Sequence, residues 1–68
     1  MEQAVIKVGG MSCEGCVASV TRVLQAVQGV ARVSVSLEKG EAEVNFDAGR
    51  TALPALRQAV QDAGYDVR

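Results

Sequence analysis

Cys13 and Cys16 are the only cysteines, and they lie three positions apart in the stretch Gly9-Gly10-Met11-Ser12-Cys13-Glu14-Gly15-Cys16. Two thiols at this spacing can bite one soft metal ion, or they can close on each other as a disulfide. The chain holds no histidine. General acid–base work by imidazole is therefore excluded, as are Ser/His pairings, and no phosphate loop ending in Lys-Ser/Thr is present. The carboxylates are scattered over faces that read as exposed. Ligand counting narrows the metal. A closed tetrahedral zinc site needs four donors, and this chain supplies two sulfurs. Two-coordinate ions need only the pair, and thiolates select copper(I), mercury(II) or silver(I) by softness.

The elements that must hold this pair follow from the apolar periodicity. Ala4-Val5-Ile6-Lys7-Val8 is β-branched and alternating, and it reads as a strand that ends at two glycines. From residue 14 to 27 the period changes. Cys16, Val20, Val23, Leu24 and Val27 share one helical face, with Ser19, Arg22 and Gln25 largely opposite. Ser12 or Cys13 is expected to cap this helix and Gly29 to end it. The site thus falls where a strand hands over to a helix. Unpaired N–H groups and a partial positive charge at a helix N-terminus favour thiolate over thiol.

Residues 30–37 alternate again, with Val33, Val35 and Leu37 inward; residues 41–46 do the same, with Ala42, Val44 and Phe46 inward. Glu38-Lys39-Gly40 between them predicts a tight hairpin with glycine at the positive-φ position. Thr51 is expected to cap a second helix with Pro54 in its first turn and Leu53, Leu56, Val60 and Ala63 as its stripe. Gly64 ends that helix, and residues 65–68 read as a last edge strand. The order is strand, helix, strand, strand, helix, strand. Two interleaved βαβ units give an α+β, ferredoxin-like sandwich: a four-stranded antiparallel sheet with both helices on one face.

Length allows one domain, residues 1–68, with a modest core. A formal net charge of -1 without a Lys/Arg cluster speaks against nucleic acid. No apolar run approaches the ~20 residues of a membrane span, and no signal peptide is visible, so the expected location is the cytoplasm.

The stretch Gly10-Met11-Ser12-Cys13-Glu14-Gly15-Cys16 resembles the metal-binding signature of heavy-metal-associated domains, Gly-Met-(Thr/Ser)-Cys-x-x-Cys. The resemblance extends over nearly the whole chain, including Ala63-Gly64-Tyr65. Within the family the chain is similar to small bacterial copper chaperones and to the N-terminal modules of copper-transporting P-type ATPases. The resemblance implies that Cys13 and Cys16 ligate Cu(I), and that Tyr65 stands beside the metal loop, where mercury-binding relatives more often carry phenylalanine. Zinc-exporting relatives tend to place aspartate where Ser12 stands. Many bacterial chaperones place histidine between the cysteines; this chain has Glu14-Gly15. The implied role is metal transport without catalysis: a carrier that hands its ion to a copper ATPase, monomeric when apo, with a metal-bridged dimer as a loaded form. An N-terminal ATPase module is the alternative, and a mercury- or zinc-binding relative or a dithiol redox protein are remoter ones. Met11 is expected to anchor the loop in the core.

Overall fold

A computed structural model of the protein describes residues 1–67. The elements run β1 (Glu2–Gly9), α1 (Glu14–Gln25), β2 (Val30–Ser36), β3 (Glu41–Phe46), α2 (Leu53–Asp62) and β4 (Asp66–Val67). This is the ferredoxin-like βαββαβ order. The sheet order is β2-β3-β1-β4, and every neighbouring pair is antiparallel. The last edge strand is thus a two-residue element, and Arg68 of the expected strand lies outside the described residues.

The period-two pattern of the strands decides which face is covered. Ile6 and Val8 of β1, and Ala42, Val44 and Phe46 of β3, are buried. Both helices supply the other half of one core: Val20 and Leu24 from α1, Leu56 and Val60 from α2, each with no exposed surface. The opposite sheet face is wet. There Val5 is 48% exposed, and Lys7 reaches across the β1–β3 ladder to Glu41 at 2.7 Å. An exposed pair of this kind contributes little, so it ties the strands together without carrying the fold.

Several boundaries differ from the sequence expectation, each for a local reason. β1 starts at Glu2, because Glu2 and Gln3 still find partners in Phe46 and Asn45 of β3. Leu37 is not inward. β2 ends at Ser36, opposite Glu41, so Leu37 falls in the turn and is 38% exposed. A β-bulge at Ala31 also breaks the strict alternation of β2. Ala63 is exposed, because it caps α2 and does not extend its stripe. α1 ends at Gln25, with Ala26 as its C-cap. Gly29 therefore does not end the helix; it turns the chain into β2. Its φ is +95°, and a Cβ there would lie 2.9 Å from Arg50 Cβ and 3.1 Å from Thr51 Cγ2. Thr51 does not cap α2. That position belongs to Ala52, with Pro54 in the first turn as expected.

The α2 terminus positions part of the site. Gly64 takes φ +97°, its N–H bonds to the Gln61 carbonyl at 2.9 Å, and the Tyr65 N–H bonds to the Val60 carbonyl at 3.3 Å. This is a Schellman closure, which needs a left-handed residue after the cap. It turns the chain sharply and sends Tyr65 back toward the core and the β1–α1 loop.

Candidate metal centre

Three connections meet at one end of the molecule. They are the β1–α1 loop with Met11, Ser12 and Cys13, the β2–β3 hairpin, and the α2–β4 turn. The hairpin is fastened to β1 by the Val8 N–H, which donates to the Gly40 carbonyl at 2.9 Å. β4 is fastened to the same strand end, with Gly9 opposite Asp66. The loop that carries Cys13 is thus braced on both sides. Sequence periodicity gave no sign of the Gly40 bond, because a backbone carbonyl leaves no trace in residue type.

Cys13 is the N-cap of α1, in extended conformation (φ -155°, ψ 168°), and is exposed. Its carbonyl accepts the N–H of Cys16 at 3.0 Å and of Val17 at 3.3 Å, closing the first helical turn. Cys16 is half-buried on the core-facing side of that turn. This local geometry brings the two sulfurs to 3.3 Å, and both are free thiols. Ser12 is exposed and not the cap; no side chain caps this helix. What Ser12 offers is its backbone amide, which favours the charged form of Cys16. Met11 is half-buried and packs against the core cluster. Tyr65 also packs there, and its Cδ1 lies 3.9 Å from where a Cβ on Gly10 would stand. Gly10 holds φ +88°, so the loop beneath the ring needs a residue free of left-handed strain.

The surroundings favour a Cys16 thiolate, lowering its pKa from 9.0 to about 7. The largest cause is the Ser12 backbone amide, followed by the Cys13 thiol and then the Tyr65 hydroxyl. Partial burial pushes the other way, and the Cys13 backbone adds a smaller favourable contribution. A testable consequence is that the ultraviolet thiolate absorbance of the reduced apo protein makes its first rise with a midpoint near pH 7, and that this rise is missing from Cys16→Ser. The sign for stability follows from linkage. The folded value is depressed, so the contribution is fully present above pH 9.0 and is lost as the pH falls through about 7.

Among the described residues, no group of three or more His, Cys, Asp or Glu side chains is placed to hold a metal ion. One chain therefore offers an under-coordinated dithiol and no closed four-donor cage. No helix among the described residues is long and apolar enough to cross a membrane.

The βαββαβ sandwich thus carries two adjacent thiols at the turn from its first strand into its first helix. The chain belongs to the heavy-metal-associated domain family, which it matches over residues 5–66. It is 42% identical over 67 residues to the copper chaperone CopZ of Bacillus subtilis, covering 98% of this chain and 97% of that protein. Among solved structures, a CopZ metallochaperone superposes with a TM-score of 0.96 at 36% identity, covering 98% of this chain and 100% of that one. A copper binding domain from HMA7, a P-type ATPase, superposes with a TM-score of 0.98 at 32% identity, over 100% and 92% of the two chains. The fold is thus common to a carrier and to a piece of a pump, and role has to be argued from the site.

Proposed function

We propose that this protein is a copper(I) chaperone, a non-enzymatic carrier that works in the cytoplasm and delivers its ion to a copper-transporting P-type ATPase. The observation that carries this reading is the pair of free sulfurs, 3.3 Å apart at an open loop, with loop amides favouring the thiolate. Cys13 and Cys16 are the ligands. Soft two-coordinate binding by thiolates suits copper(I). Tyr65 beside the loop, and Ser12 where zinc-exporting relatives tend to carry aspartate, support copper over mercury and zinc. The end-to-end similarity to CopZ, named as a copper chaperone, supports the same reading.

Loading moves the sulfurs. With metal–sulfur bonds of about 2.3 Å, as in zinc thiolates, a linear unit spans about 4.6 Å. The apo separation is 3.3 Å, so the pair must open by about 1 Å on that gauge. Cys16 is fixed in the first helical turn, and the exposed Cys13 side chain absorbs the change. Transfer then proceeds by exchange. An acceptor thiol loses its proton and adds to the ion through sulfur, one original sulfur–metal bond breaks, and the released thiolate is free to take up a proton. The oxidation state of copper does not change.

Titration of the reduced protein with copper(I) against a competing chelator tests the reading. The expected endpoint is about one ion per chain or per thiol-bridged pair, and a loaded sample should yield its ion to a separate acceptor domain of the same fold. A chain that takes up no copper(I) under these conditions is not this carrier. The 0.98 superposition on an ATPase domain favours one second reading, an N-terminal pump module with the same site chemistry. An in-frame continuation of the coding sequence into membrane helices would select it.

A further inference from the structure

We propose that Glu14 determines which partners can share a metal ion with this site. Its carboxylate opposes pairing with a second copy of the chain and directs exchange to partners whose facing position is not acidic. This rests on Cys13 and Cys16 being the copper(I) ligands.

Glu14 is the first residue of α1 and stands between the two cysteines, exposed, beside the exposed Cys13. Among the described residues the one ion pair is Lys7 with Glu41, and none of them lies within salt-bridge distance of Glu14. The neighbouring hairpin gives no net compensation, since Glu38 is followed by Lys39. Gly15 adds no side chain to screen the site. A Cβ placed there would sit 3.6 Å from Cys13 Sγ, so its absence leaves that sulfur open. A second dithiol that comes to share the ion approaches the helical turn that carries Glu14.

The charge tally is unfavourable for two identical sites. One copper(I) on two thiolates leaves one negative charge, and Glu14 adds another. Two copies around one ion collect four thiolates against a single positive charge, with two further carboxylates beside them. Adjacent Cα atoms are about 3.8 Å apart. Two Glu14 residues brought together in this way therefore lie well inside the ~30 Å Debye length of 0.01 M salt, where their repulsion is little screened. A partner with a neutral or basic residue in that position meets one carboxylate and no pair. Glu14 also sits well for the α1 terminus, where an acidic side chain complements the helix dipole. That structural role acts on the apo fold and leaves metal-dependent association unchanged.

The test compares wild type, Glu14→Gln and Glu14→Lys, each given half or one equivalent of copper(I) without oxygen. Sedimentation velocity reads association at low and at high salt, and bound copper is measured in the same samples. At half an equivalent and low salt, Glu14→Gln should dimerise about five- to tenfold more tightly than wild type, as expected for one removed charge pair at this range. The difference should shrink to under about twofold at high salt. Mixed wild type and Glu14→Lys should form the heterodimer in excess over both homodimers. Equal association of wild type and Glu14→Gln at low salt overturns the proposal, as does a difference that salt does not reduce. A change confined to the apo melting temperature also overturns it, in favour of the helix-terminal role alone. Proteins that bind no copper overturn the ligand assignment instead, which is a separate failure.

Discussion

Cys16→Ser lowers copper(I) affinity by well over a hundredfold, beyond the roughly 10- to 100-fold typical of losing an outer-shell partner. On the proposed ligand assignment, serine puts a hard, protonated oxygen in place of a soft thiolate, and a two-ligand site cannot share the loss among other donors. The apo fold should change little. The core is made by Ile6, Val20, Leu24, Val44, Leu56, Val60 and their neighbours, and Cys16 is not among them. The apo melting temperature is expected to move by less than about 4 °C, the shift that accompanies a loss near 1 kcal/mol in a domain of this size. Cys13→Ser should behave alike, with still less effect on the fold, because Cys13 is exposed. Chelator competition measures the first effect and thermal unfolding the second. If metal-free Cys16→Ser fails to fold, the sulfur is structural and the assignment of the site is wrong.

Leu24→Ala has the largest expected effect on the fold. Leu24 has no exposed surface and lies on the α1 face against the sheet. A leucine truncated in such a site costs about 2–5 kcal/mol through lost burial and a residual cavity. At 0.05–0.15 kcal/mol per residue, a chain this short holds roughly 3–10 kcal/mol in total, so the apo variant should be partly unfolded at physiological temperature. Copper(I) should restore it, since an ion bound only by the native state adds about 2.7 kcal/mol when free ligand stands a hundredfold above its dissociation constant. Urea unfolding with and without buffered copper(I) measures both quantities. A cost under about 1 kcal/mol would show that Leu24 is not a core residue of this kind. An unmoved midpoint in copper would show that the metal has no preference for the folded chain.

The β2–β3 hairpin and the α1 stripe were plain in the residues, because burial on one face writes itself into the sequence at period 2 or 3.6. Val44 between Glu43 and Asn45 has a single sensible orientation. The site was legible for a different reason: two thiols three positions apart at a strand-to-helix junction, beside glycines, carry chemistry that few other arrangements share. What escaped notice was set by tertiary contacts or by the main chain. Leu37 has an inward parity that the turn overrules. Thr51 is a good capping type, but the cap of α2 falls one residue later, at Ala52; at α1, Cys13 and not Ser12 of the two expected residues takes the cap position. The Ser12 amide, the largest influence on Cys16, belongs to the backbone and would be there for any residue except proline.

The extra residue at Ala31 has a consequence for the molecule's life in a crowded cell. β2 is an outer strand, and its free N–H and C=O groups could template a stack of like chains. The kink throws those groups out of line. Fibril growth is thereby frustrated by shape at this border. A carrier of the kind proposed, which works dispersed, gains from it.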